Sequence, residues 1–102
     1  MPIDRSTLKV ENNEAKKRFE IKVEDKYAFA EYMRVANRII FTHTEVPPGL
    51  EGNGLGSMLA KSGLEFAKAE SLKVIPLCPY IAGYIKKHQE YLPLVMEGYG
   101  VG

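Results

Sequence analysis

An α/β fold is predicted: an antiparallel meander joined to one parallel strand, with a long helix on one face. Three observations carry that reading. Apolar residues alternate with polar ones in successive runs between residues 18 and 44, joined by connections too short for anything but antiparallel pairing. A glycine-rich stretch, residues 49–56, then gives way to helical spacing over 54–71. A further β-branched run follows at 73–77, and a helical connection makes it parallel to the strand before the glycines.

Taken in order, residues 7–10 form a short strand candidate and Asn12-Asn13 reads as a turn. Phe19, Ile21 and Val23 then face one way, while Arg18, Glu20, Lys22 and Glu24 form a wet face. Asp25-Lys26 is a turn candidate. The strand 27–35 sets Tyr27, Phe29, Glu31, Met33 and Val35 against Ala28, Ala30 and Tyr32, both faces being largely apolar. After Ala36-Asn37, Ile39, Phe41 and His43 alternate with Ile40, Thr42 and Thr44. In the long helix, Leu55, Met58, Leu59, Ser62, Gly63, Phe66 and Ala67 make the buried stripe, and Ser57, Lys61, Glu65 and Lys68 the wet one. Gly63 on that stripe costs helix stability unless the helix lies close to the sheet. Pro76 lacks the N–H of a central strand and argues for an edge or gap beside it. A second helix is expected over 81–88, with a further turn in 89–97 around Tyr91, Leu92, Leu94 and Val95, and Leu92, Leu94, Val95 and Met96 are expected to dock rather than form a binding patch.

The chain of 102 residues has room for one domain and one modest core, placed at about 6–96, with a flexible tail at 97–102. Its hydrophobic and charged fractions, 45% and 26%, are those of an ordinary globular protein. A net charge of +1 gives no electrostatic case for nucleic acid or an anionic membrane. Residues 1–5 hold no apolar signal core, no run is long enough to span a bilayer, and Cys78 is the only cysteine. A reducing, cytoplasmic setting is expected, with the protein a monomer or weak homodimer. One cysteine and two distant histidines are not a metal site.

The stretch Val46-Pro47-Pro48-Gly49-Leu50-Glu51-Gly52-Asn53-Gly54-Leu55-Gly56-Ser57 has the order strand, glycine loop, helix start. Its glycines let backbone N–H groups crowd a ligand without side chains in the way. A helix N-terminus carries unpaired N–H groups and partial positive charge, so the natural guest is an anion such as phosphate. The spacing fails the Walker loop, because Leu55 and Gly56 follow Gly54 where Lys-Ser/Thr is needed. It also fails the dinucleotide fingerprint, because Leu59 stands where the third glycine is required.

Glu51-Gly52-Asn53-Gly54-Leu55-Gly56 instead resembles the Gln/Arg-x-x-Gly-x-Gly/Ala signature of the GNAT-superfamily N-acetyltransferases. His43-Thr44-Glu45-Val46-Pro47 and Cys78 make the chain similar to that superfamily's small, minimal branch, over roughly residues 17–95. The resemblance implies a compact GNAT-like sheet whose two parallel strands splay into a slot. It implies acetyl-coenzyme A as cofactor and an amine as acceptor, such as a protein lysine or N-terminus. The pyrophosphate would lie on Glu51, Gly52, Asn53, Gly54, Leu55, Gly56 and Ser57. The pantetheine arm would lie along Thr44, Glu45 and Val46, with Tyr80 and Tyr84 packing on it or donating to the departing sulfur. Glu51 stands where most of the superfamily has Gln or Arg, and is expected to contribute only its backbone or to point away.

Three residues are catalytic candidates. Cys78 is either an acyl-accepting or acid–base thiol, or a small buried apolar residue. His43 is either a base, or a partner orienting Cys78 from the face of Ile39 and Phe41, or a backbone-bonded sheet histidine. Glu45 is a second base candidate or a solvated carboxylate. Lys86 and Lys87 either meet the cofactor's 3′-phosphate or form a solvated face, and His88 has no evident partner. The acceptor architecture of larger relatives is missing, so the acceptor site is open, completed by a partner, or absent. Two rival functions stand beside acetyl transfer: a coenzyme A or acyl-CoA binding module without transferase activity, and an interaction domain whose glycines serve packing alone.

Overall fold

The computed structural model describes residues 5–100. Five strands form one sheet in chain order: β1 (Glu11–Asn13), β2 (Arg18–Val23), β3 (Lys26–Val35), β4 (Arg38–Glu45) and β5 (Lys73–Pro76). Pairing is antiparallel from β1 to β4 and parallel between β4 and β5. Helix α1 (Leu55–Ala69) links β4 to β5, and α2 (Pro79–Lys87) follows. Short 3-10 turns lie at Arg5–Thr7 and Gln89–Leu94. The architecture is the mixed sheet with a long helix that the alternation and the helical connection predict.

The core lies between one face of the sheet and the helices. Phe19, Ile21, Ala28, Ala30, Tyr32, Ile39 and Phe41 meet Leu55, Leu59, Leu64 and Ala67 of α1, with Ile81 and Ile85 of α2. Of the two apolar faces of β3, the small one is thus covered, and Tyr27, Met33 and Val35 stay exposed. The alanines bring the helix near. Gly63 brings it nearer still, because a Cβ there would lie 2.7 Å from the Phe41 ring. The helix ends in a Schellman motif: Ser71, at a φ of 56°, lets Leu72 N–H reach Ala67 O at 2.8 Å.

Several expectations are corrected. Asn12 and Asn13 do not turn; they form β1 opposite Phe19 and Arg18, and residues 7–10 are not a strand. The amide side chains explain this, since Asn13 Nδ2 donates to Glu20 Oε1 at 3.1 Å and Asn12 Oδ1 accepts from the Tyr32 hydroxyl at 2.6 Å. The β2–β3 hairpin turns on Glu24 and Asp25, because Val23 already pairs with Lys26. Helix α2 begins at Pro79 rather than 81, with proline at a helix start where its missing N–H costs nothing. Leu92 is 40% exposed rather than docked, whereas Tyr91 is buried and donates to Glu65 at 2.6 Å. The expected tail lies partly outside the described residues, at 101–102.

The largest correction concerns β4. Glu31 pairs with His43 but Tyr32 pairs with Phe41, which leaves Thr42 opposite nothing. That extra residue is a bulge, and it inverts the alternation beyond it. Thr44 pairs with Ala30 and so takes the helix-covered side, while His43 joins Phe29 and Glu31 on the open side. His43 therefore does not share a face with Ile39 and Phe41. Its ring lies 6.2 Å from that of Phe29.

The face expected to be wet is not wholly so. Glu20 is 8% exposed and holds Arg18 Nε at 2.7 Å. Burial pushes its carboxyl up, but hydrogen bonds from Arg18 and Asn13 and the charges of Arg18 and Lys16 outweigh that, leaving it below the usual value. The Arg18 guanidinium also sits 4.6 Å over the Phe29 ring.

At the sheet edge, Val74 turns its carbonyl outward to Met96 N–H at 2.8 Å. Pro76 shares that orientation by strand alternation, so its missing N–H falls on the free edge rather than toward β4. The β4–β5 ladder ends at Phe41 and Pro76, with a last bond from Cys78 N–H to Phe41 O at 2.8 Å.

Gly63→Ala should destabilise the protein by about 1 kcal/mol in chemical denaturation. Alanine's helix propensity gains up to about 1 kcal/mol, and forcing a methyl against the buried Phe41 ring costs about 1–3 kcal/mol. Glu20→Gln should cost most stability above about pH 5. A lowered folded-state pKa contributes stability above the unfolded value and loses it as pH falls, so the difference from the parent protein should shrink through the range below 4.5. Urea midpoints across pH 3–7 measure it.

Candidate active site

Beyond β4 the chain is shaped by its own backbone. Leu50 N–H returns to Pro47 O at 3.0 Å, closing a turn with Pro48 second and Gly49, at φ 90°, third. This is the type II pattern, which needs glycine at that place. Asn53 Nδ2 then donates to Leu50 O at 2.9 Å and braces the loop from within. Gly54, at φ 76°, caps α1 with no side-chain hydrogen bond. The first intrahelical bond runs from Met58 N–H to Gly54 O at 3.1 Å, so the N–H groups of Leu55, Gly56 and Ser57 have no intrahelical partner.

Leu55 and Gly56 border a cleft of about 450 Å³. Thr44 and Val46 form one wall, Glu51, Gly52, Gly54, Leu55 and Gly56 the floor, and Tyr80 the far side. Tyr80 presses on the helix start: a Cβ on Gly56 would sit 2.6 Å from its ring, and its hydroxyl is 3.3 Å from Ser57 Oγ. The cleft lies at the end of β4 where pairing with β5 has stopped. Its chemistry suits an elongated anion. Free N–H groups and the helix dipole meet the negative end, and the gap between the parted strands takes a narrow arm.

Cys78 is 2% exposed and lies two residues beyond β5, as the N-cap of α2. Its Sγ lies 3.3 Å from Thr44 Oγ1, across the parted strands. Its side-chain partner is thus a hydroxyl and not an imidazole. His43 and Glu45 form a separate pair on the open face, with Nε2 and Oε2 at 3.4 Å. The structure therefore brings together Thr44 with Cys78, His43 with Glu45, and Ser57 with Tyr80. It does not bring His43 to Cys78. Glu51 lines the cleft from an exposed position. Tyr84 stands outside it, its hydroxyl proton held more firmly than usual by burial and by nearby Glu90, Tyr80 and Glu65.

Three contributors are not apparent from the alternation. Thr42 is invisible as a bulge because the pattern around it looks regular. Gly83 borders a neighbouring cavity. His88 stacks on Tyr84 with ring centroids 4.1 Å apart; the i, i+4 spacing is the signal that finds this pair. Among the described residues, no group of three or more His, Cys, Asp or Glu side chains can hold a metal ion, and no helix is long and apolar enough to cross a membrane.

Comparison with known proteins agrees with this geometry. A family model described as GCN5-related N-acetyltransferase matches residues 18–94. A GCN5-like proposed N-acetyltransferase from Staphylococcus aureus, solved by NMR, superposes with a TM-score of 0.69 at 28% identity, over 89% of this chain and 90% of that one. No curated protein matches the chain.

Gly56→Ala tests the contact at the helix start. Tyr80 is 45% exposed and can swing aside. Stability should therefore change by less than about 1 kcal/mol, with alanine's propensity offsetting the shift. NMR chemical-shift changes should concentrate at Tyr80, Ser57 and the loop.

Proposed function

The chain belongs to the GCN5-related N-acetyltransferase family, and from that premise we propose that it transfers acetyl from acetyl-coenzyme A to an amine. The observation that carries the proposal is the uncapped, glycine-built start of α1, opening into a cleft beside parted parallel strands. The N–H groups of Leu55, Gly56 and Ser57 would hold the pyrophosphate, with Gly52, Asn53 and Gly54 shaping the loop around it. Backbone groups at Thr44, Glu45 and Val46 would line the pantetheine arm. Acetyl-coenzyme A, when bound, supplies an activated thioester.

Consecutive residues of β4 then divide the chemistry between two faces. Thr44 and Cys78 stand on the cofactor side. His43 and Glu45 stand on the open side, where a peptide amine has free approach. For the two to act together, the thioester must reach the open face where β4 and β5 part, a gap that Thr44 and Cys78 bridge at 3.3 Å. His43, paired with Glu45, accepts the proton that the amine must lose before it attacks. Cys78, whose neighbour is a hydroxyl, acts as proton donor to the departing sulfur rather than as an acyl carrier, since a covalent route needs a base beside the thiol. Tyr80 lies over the helix start and flanks the phosphate end.

The rival reading, a coenzyme A binding module without transfer, draws on the Glu51 carboxylate lining the cleft. Calorimetric titration with acetyl-coenzyme A, followed by an acetylation assay on lysine-bearing peptides, separates the two. Saturable binding is expected, weakened at least tenfold in Gly56→Ala. Glu45→Gln and His43→Gln should each lower kcat by about 10²-fold, the usual scale for a general base, with little change in cofactor affinity. Cys78→Ala should likewise lower kcat and show no acetylated enzyme by mass spectrometry. Binding without transfer to any peptide favours the module, and absence of binding overturns the proposal.

A further inference from the structure

Beside the cleft lies a second cavity of about 200 Å³, bounded by Ser57, Tyr80, Gly83, Tyr84, Lys87 and His88. The two cavities share Tyr80, and consecutive residues of α1 line them, Gly56 the first and Ser57 the second. A ligand anchored at the helix start therefore has a path around the Tyr80 ring into the second space. The linings differ in chemistry. The cleft has three glycines and the helix start on one side, with Thr44, Val46, Glu51 and Tyr80 around them, and its helix start suits a phosphodiester-like group. The second cavity holds an ammonium, an imidazole and hydroxyls.

That second lining is organised. His88 ends α2, its backbone N–H bonded to Tyr84 O at 2.9 Å, and its ring lies on the Tyr84 ring at 4.1 Å and an angle of 24°. The stack fixes the plane of the imidazole. Lys87 is in no ion pair among the described residues. Gly83 keeps the space open, since a Cβ there would meet nothing within 4 Å. A cation and a stacked imidazole around a small space suit a compact, doubly charged anion, and a phosphate monoester carries about −1.5 to −2 charges near neutral pH.

Resting on the coenzyme A reading of the first cleft, we infer that this cavity takes the 3′-phosphate of the cofactor's ribose. Lys87 and His88 are then the residues that distinguish coenzyme A from its 3′-dephospho form. Ser57 and Tyr80 mark the passage between the pyrophosphate and the ribose end.

The test is a pair of calorimetric titrations, with coenzyme A and with 3′-dephospho-coenzyme A, on the full chain. Coenzyme A should bind about tenfold more tightly, the scale of one charge-assisted contact at a partly exposed site. Lys87→Gln combined with His88→Gln should bring the ratio of affinities close to one, and Lys87→Arg should keep most of it. Lys87→Gln alone, at an exposed position, should lower the ratio and serves if the double variant fails to fold. The ratio should also fall as salt is raised. Equal binding of the two ligands by the parent protein, or a ratio unmoved by these changes, overturns the inference while leaving the cleft assignment standing. Binding of neither ligand overturns the cleft assignment and this inference with it.

Discussion

Strand β4 must pair on both sides through Phe41 and then release one neighbour, and the unpaired Thr42 is where it does so. Before that residue β4 is an ordinary central strand with Ile39 and Phe41 in the core. After it, only β3 remains as a partner, and the side-chain alternation is inverted. The inversion turns Thr44 toward Cys78 and turns His43 and Glu45 to the open face. A regular strand would put His43 over the core and Thr44 outside, and neither pair could form.

Phe41 holds this junction from two directions. Its carbonyl takes the last bond from β5's continuation, at Cys78 N–H, and its ring lies under Gly63 of α1. The helix can approach this closely because its stripe is built of glycine and alanine where it crosses the sheet. Approach at Gly63 sets the height of the whole helix, including its first turn. There Gly56 meets Tyr80 in the same manner. The separation between the helix start and α2, and hence the cleft, follows from two positions that lack a side chain.

Much of this is legible in the sequence, for physical reasons that differ by residue. The meander is readable because one face of β2 and β3 is buried, which enforces alternation at Phe19, Ile21, Ala28 and Ala30. Helix α1 is readable because its stripe is long and its loop contains glycines at positive φ, Gly49, Gly52 and Gly54. Gly63 announces a close approach, and the structure supplies the surface it approaches. What is not readable depends on single side-chain partners. Asn12 and Asn13 look like turn residues until Tyr32 and Glu20 are seen to bind their amides. Glu20 looks solvated until Arg18 is seen to cover it. The bulge hides because Ile40, Thr42 and Thr44 alternate well in sequence, while the register that decides their faces is set by β3.

The division of labour between backbone and side chains follows from the same geometry. At the helix start the groups presented are N–H donors fixed by Gly54 O and the Asn53 brace, so the loop is arranged before any ligand arrives. A loop built this way depends little on the side chain at 51, and the Glu51 carboxylate stands exposed at the cleft. The parted strands are the reverse case, because there a side chain from each strand must meet its partner across a gap. Cys78 meets Thr44 only because the ladder ends one residue before the bulge and β5 turns at Leu77, whose N–H reaches Ile75 O at 3.1 Å. Substitution at 51 and deletion of residue 42 should therefore behave differently in kind. The first alters charge beside a loop that is already braced, whereas deleting Thr42 restores a regular strand and removes the register that sets Thr44 beside Cys78 and His43 beside Glu45.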